Sequence, residues 1–385
     1  MSVECSTSND ERQFGGRLLP DRMLDFGPCQ GGLGAGKLMS LCRWTLASAV
    51  WFLSVAFAGD DNLPDPLFQG TGMLEVRIVA PWSTVISERP DEEELPATFE
   101  FTDSAGKTLV FDIKLRARGK FRARKDICDF PPIRLNFAGS QTKDTLFHKQ
   151  DKVKLVTHCQ SSERYDQVVL REYMTYRILN VLTDASFRAR LLRITYVDSA
   201  GTKREDVRYG FIIEDQDRLA KRLHKSILDV SKTSVSSLDR EYTNLISVFQ
   251  YLVGNTDFSM IQGMTGEACC HNHVLFGNDG EKIWSIPYDF DQSGMVDAPH
   301  AGPNPRFKLR SVRDRLYRGR CVNNDLLQIT FAKFKDKHDE ILAVINEVSA
   351  SSKQSINATT RFVEDFYRVL ESEKRIEKEF IKKCI

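Results

Sequence analysis

The strongest constraint on this chain is a change of hydrophobic period near its middle. Residues 108–118 place Leu109, Phe111, Ile113 and Leu115 on one side and Asp112, Lys114 and Arg116 on the other, the alternation of a half-buried strand. Residues 73–80, 133–137 and 152–157 read as further strands, and the acidic, proline-containing stretch 88–96 reads as a loop. From 166 to 182 the spacing turns helical, with Leu170, Met174, Ile178 and Leu182 on one line. Strands at 191–197 and 207–214 follow, separated by the turn Asp198-Ser-Ala-Gly201. Beyond them helical patterns dominate, at 217–225, 239–253, 323–349 and 359–382, with short strands at 273–277 and 282–288. A β-rich lobe carrying one helix, residues 59–215, followed by an α-rich lobe, residues 216–385, predicts an α+β fold.

The first 58 residues have a different character. A basic stretch around Lys37 and Arg43 precedes an apolar run over 44–58 that ends Ala56-Phe57-Ala58. Such a pattern is that of a secretory signal peptide, here about 39–58, and the run is short for a membrane span of about 20 residues. An uncleaved membrane anchor is the alternative. Met39 is the natural start of such a signal, with residues 1–38 as an extension ahead of it. Within that extension Gly31-Gly-Leu-Gly-Ala-Gly36-Lys37-Leu38 imitates a phosphate-binding loop. Leu38 stands where the Mg²⁺-binding hydroxyl belongs, and no strand precedes it.

Export is consistent with the cysteines. Cys128, Cys159, Cys269, Cys270, Cys321 and Cys384 would remain after cleavage, an even number in an oxidising compartment. At least one disulfide is expected, most simply one tying residues 258–271 to a neighbour; free buried thiols are the alternative. Lys plus Arg total 54 against 53 Asp plus Glu, which excludes both a solvating acidic tail and a basic nucleic-acid coat as the whole protein.

Chemistry concentrates between residues 254 and 291. Asp257 follows a long apolar helix, Asn272 leads a short strand, and Asp289 ends the next one. Asn278-Asp-Gly280 joins those two strands as a hairpin, which carries Asn272 and Asp289 to the same end. Phosphoryl transfer needs such a set: one carboxylate to take the proton of an acceptor hydroxyl, and an amide and a second carboxylate to hold Mg²⁺ on the phosphates. A basic strand residue for the phosphates is expected at Arg134 or Lys154, with Glu172 on the helix as its partner. Lys114, Arg116, Arg118, Lys120, Arg122 and Arg124 occupy alternate positions, a cationic ribbon face or a phosphate-facing loop around Gly119. His271 and His273 would point the same way on a strand, but a third metal ligand is lacking nearby, as it is for His158. Asn357-Ala-Thr359 fits a glycosylation sequon.

Residues 108–296 resemble the CotH family of spore-coat kinases. The resemblance rests on Arg118-Gly119-Lys-Phe, on Phe130-Pro-Pro-Ile-Arg-Leu-Asn-Phe137 and on Leu170-Arg-Glu-Tyr. It continues in Tyr209-Gly-Phe-Ile-Ile-Glu214, Asn255-Thr-Asp257, His271-Asn272-x-x-Leu275-Phe276 and Pro287-Tyr-Asp-Phe-Asp291. It implies a two-lobed, atypical protein-kinase-like fold with one helix in the β-rich lobe. It further implies Asp257 as the catalytic aspartate, Asn272 and Asp289 as ligands of Mg²⁺ or Mn²⁺, and Asp289-Phe290-Asp291 in the position of the kinase D-F-G. Arg118, Arg134, Lys154 and Glu172 would bind ATP. Kinase catalytic loops hold the aspartate and asparagine much closer than the 15 residues between Asp257 and Asn272. The expected activity is transfer of the ATP γ-phosphoryl group to protein Ser/Thr or another hydroxyl, by an exported, periplasmic or extracellular protein. The alternative is an envelope or surface binding protein on the same scaffold without turnover.

Overall fold

The structure, a computed structural model, describes residues 63–385. The signal peptide, the start at Met39 and the loop at 31–38 lie outside the described residues.

Seven strands close into a barrel in the order β1-β2-β3-β4-β5-β7-β6. They are β1 (Leu74–Ala80), β2 (Leu95–Thr102), β3 (Thr108–Ala117), β4 (Ile133–Phe137), β5 (Lys152–Val156), β6 (Ala189–Asp198) and β7 (Asp206–Ile213). Neighbours are antiparallel except at the seam, where β1 lies parallel to β6 from Leu74 beside Leu192 to Ala80 beside Asp198. This corrects the two-lobed kinase-like fold with a single helix in its β-rich half. Val76 and Ile78 of β1 and Leu192, Ile194 and Tyr196 of β6 bury in one interior, and pairing these strands removes both free edges of the sheet. Three short helices also punctuate this half, α1 (Pro66–Gln69), α2 (Trp82–Glu88) and α3 (Gly139–Thr142), before the long α4 (Glu163–Leu182).

Alternation fills the barrel. Phe99 and Phe101 of β2, Phe111 of β3 and Phe137 of β4 surround Phe147, whose ring centroid lies 4.9 Å from that of Phe101 and 5.0 Å from that of Phe99. Each such ring, taken out of water, contributes roughly 1.5–3 kcal/mol. The acidic stretch expected to be a loop ends at β2, whose Leu95, Ala97, Phe99 and Phe101 share the inward face.

The outer face of β6 and β7 belongs to a second core. Leu191 and Phe211 meet Leu170, Tyr173, Met174 and Tyr176 of α4 there, together with Ile246 and Phe249 of α6 (Arg240–Val253). Between the barrel and α6 lie α5 (Gln216–Arg222) and β8 (Ser226–Ile227). β8 pairs with β9 (His273–Gly277), which pairs with β10 (Trp284–Pro287), giving a three-stranded antiparallel sheet. The helical pattern at 323–349 divides at Lys337 into α7 (Leu327–Asp336) and α8 (His338–Glu347). α9 (Lys353–Leu370) and α10 (Glu373–Ile376) follow, then a π-helical turn over Glu377–Ile381; the Asn357 sequon lies inside α9.

Three disulfides cross-link the described residues: Cys128–Cys159, Cys321–Cys384 and the adjacent pair Cys269–Cys270. Oxidation is as expected, but residues 258–271 are not tied to a neighbour, because Cys269 and Cys270 bond each other. No helix among the described residues is long and apolar enough to cross a membrane.

Candidate active site

The end of α6 aims the first acid. Gly254 adopts φ 66°, and its N–H closes the helix on Gln250 and Tyr251. A Cβ there would lie 3.0 Å from Phe362, so glycine answers both backbone and space. Three residues on, the Asp257 N–H donates to Asn255 Oδ1 at 2.9 Å, turning the aspartate out of the core.

β9 and β10 deliver the other two residues. Pro287 pairs with His273, and the Tyr288 N–H donates to the Asn272 carbonyl at 3.0 Å, so Asn272 and Asp289 reach the same end of the hairpin. Asn272 Nδ2 donates to Asp257 O at 2.7 Å and to Asp257 Oδ2 at 3.1 Å. His271 Nε2 lies 3.0 Å from Asp257 Oδ1. That hydrogen bond raises the His271 imidazole above its ordinary value despite partial burial. The expected trio therefore gathers in spite of the long spacing, since residues 258–271 loop out and return. His271 is a fourth member: the sequence marks it as a candidate metal ligand, not as a partner of Asp257. It parts from His273, whose ring turns inward to Ser285 and Gln250 and is pushed down to about 3 by burial.

Asp289 takes φ 63°, and its N–H donates to the Tyr176 hydroxyl at 2.9 Å. Burial and the neighbouring Asp291 push its carboxyl up to about 6, against Arg118 and Arg122. Burial also opposes charge on Asp291, but the His300 Nε2 contact at 3.2 Å and Arg122 hold it below the usual range. Glu172 is fully buried beside them, pushed up by burial and by Asp291, and its Oε1 has no hydrogen-bond partner. The expected pairing of Glu172 with Arg134 or Lys154 is not made: no ion pair joins it to either among the described residues.

The basic residues come from the barrel wall. Lys154 and Arg134 pair across β4 and β5 on the outer face. The Lys154 Nζ lies 4.8 Å from the centroid of the Tyr288 ring, and burial followed by Arg118 lowers its amine to about 8. Arg118 is lowered by burial and faces Asp289. The expected cationic ribbon stops at Ala117, where β3 ends, and its later members separate. Lys120 pairs with Glu267, linking the Gly119 turn to the 258–271 loop, while Arg122 donates to Thr157 O and Arg124 pairs with Asp126.

The donor set suits a hard divalent cation. Asn272 Oδ1 and the Asp289 carboxylate are its expected oxygen donors, brought to one end of the hairpin. Asp289, Asp291 and Glu172 act on one another's charge, but among the described residues they do not bring three carboxyl oxygens to ligand distance. Cys128, Cys159 and His300 do place ligand-type atoms within 4.8 Å of one another, but both sulfurs are committed to a disulfide, and a thiolate is what binds metal. No protein-family model matches the chain, and no curated protein matches it significantly.

Proposed function

We propose that the chain is a CotH-like phosphotransferase, moving the γ-phosphoryl group of ATP to a protein Ser/Thr or another hydroxyl acceptor outside the cytoplasm. The observation that carries this reading is Asp257, held by Asn272 and His271, in the field of the Asp289 carboxylate, on which Arg118 also acts. Asp257 takes the proton of the acceptor hydroxyl as its oxygen bonds to the γ-phosphorus and the bond from that phosphorus to the bridging oxygen breaks, ADP leaving with the electron pair, and His271 shares the charge on Asp257. Arg118 and Lys154 neutralise phosphate oxygens, with Arg134 farther along the wall. Asn272 offers its Oδ1, because Nδ2 is committed to Asp257, and Asp289 offers its carboxylate to Mg²⁺ or Mn²⁺. Such a cation, when bound, screens the charge of the phosphate chain. Export through residues 39–58 fits the three disulfides.

Two observations favour the second reading, a binding protein without turnover. Both Asp257 oxygens already have partners, and Lys154 and Glu172 do not pair. Thermal melting with ATP, with and without Mg²⁺ or Mn²⁺, separates the two when joined to a transfer assay. The proposal expects a metal-dependent rise in melting temperature that Asp289→Ala abolishes. Asp257→Ala should keep that rise and lose transfer by a hundredfold or more, on the order expected for a general base. No rise with any nucleotide in the parent protein overturns the phosphotransferase reading.

A further inference from the structure

The end of the barrel opposite in character to the acidic site holds a buried arginine. Along β6, Leu192, Ile194 and Tyr196 point into the interior, and Arg190 is the next residue on that face. It is 7% exposed, its Nε and Nη1 find no hydrogen-bond partner, and it makes no ion pair among the described residues. Arg190 lines a cavity of about 830 Å³ at the barrel mouth. Leu74, Leu109 and Leu146 give this cavity an apolar wall, and Lys107 and Lys143 stand on its rim. Asp103 and Asp144 also border it, but the Asp103 carboxylate is tied into its own turn by the N–H groups of Ala105 and Lys107, each at 2.9 Å. None of these residues belongs to the Asp257 site.

A buried cation without a partner is costly, and the rest of this interior shows that leucine or phenylalanine fills such positions without that cost. Nε and Nη1 are closed off, with Nη1 packed against Gly70, which leaves Nη2 to meet an oxyanion in the cavity, and guanidinium donors match carboxylate or phosphate oxygens. We propose that the barrel mouth binds an amphiphilic oxyanion, a carboxylate or phosphate on a small apolar body, with Arg190 on the anionic group and Leu74, Leu109 and Leu146 against the body. Barrel mouths are common places for such ligands.

The test uses the full chain with octanoate, octyl phosphate, acetate and inorganic phosphate as probes, followed by melting and calorimetric titration. Octanoate or octyl phosphate should raise the melting temperature and bind at least tenfold more tightly than acetate or inorganic phosphate. The two octyl probes distinguish a carboxylate from a phosphate source. Arg190→Met should lose at least tenfold in affinity for the bound probe, Arg190→Lys should lose less, and Arg190→Met without ligand should melt no lower than the parent. The inference is overturned if no probe binds the parent, if the short anions bind as well as the octyl ones, or if Arg190→Met binds like the parent. A lower melting temperature for ligand-free Arg190→Met also overturns it, since Arg190 would then be a packing residue.

Discussion

The side-chain amide of Asn272 holds Asp257 at two atoms, donating to its carbonyl at 2.7 Å and to its carboxylate at 3.1 Å. One amide thus fixes both the backbone and the side chain of the proposed base, across a loop in which neither residue lies on a helix or strand. Asn272 itself sits at φ 55°, a conformation that asparagine and glycine tolerate better than alanine.

Two substitutions at this position separate those contributions. Asn272→Ala and Asn272→Gly both lose the amide, and a hydrogen bond to a charged group is worth ~1.5–3 kcal/mol. Asn272→Ala should be less stable than Asn272→Gly by about 1 kcal/mol, the left-handed penalty. Urea denaturation midpoints of the two variants measure the difference.

His158 makes stability depend on acid. It is buried against Phe130, with ring centroids 4.6 Å apart, and burial lowers it to about 4. Its folded value lies below the unfolded one of about 6.5, so the unfolded chain binds the proton first. The contribution is present above pH 6.5 and is lost as pH falls toward 4, to a total of roughly 3 kcal/mol. His158→Phe should flatten that part of the stability–pH curve, measured as the difference from the parent in denaturant titrations.

Barrel closure has its own test in Phe99, which is fully buried and contacts Phe137 and Phe147 edge-on. Phe99→Ala should cost about 3–5 kcal/mol, while Phe99→Leu should cost far less. Guanidinium unfolding followed by far-ultraviolet circular dichroism reads both.

The disulfides should differ in worth by the chain each one closes. Cys321–Cys384 spans 63 residues and Cys128–Cys159 spans 31, for which loop-closure arithmetic gives about 4 kcal/mol each. Cys269–Cys270 spans a single step and closes no loop. Replacing both cysteines by serine in each pair should lower thermal stability for the first two and leave it nearly unchanged for the third, by calorimetry.

Much of this was legible in the chain because period is local. The alternation around Leu109–Leu115 and the line from Leu170 to Leu182 became β3 and α4 with small changes at the ends. β2 was missed because Pro96 and the preceding acids outweighed Phe99 and Phe101, although those phenylalanines alternate cleanly. The parallel pairing of Leu74 with Leu192 was invisible, since no local pattern says which strands meet. At the site, chain order foretold that Asp257, Asn272 and Asp289 would gather. The partner of Glu172 was misread because a helix register fixes the face of a carboxylate but not which loop comes to cover it. Phe290 and Asp291 fill that place.

The seam between β1 and β6 sets an order of events during synthesis. Leu74 emerges early, yet the strand that completes its pairing ends at Asp198, so the β-rich half cannot shut until that much chain is available. Contacts so distant in sequence form slowly, because the intervening chain must first be gathered in. Until then β1 can pair only with β2, and its other edge stays open.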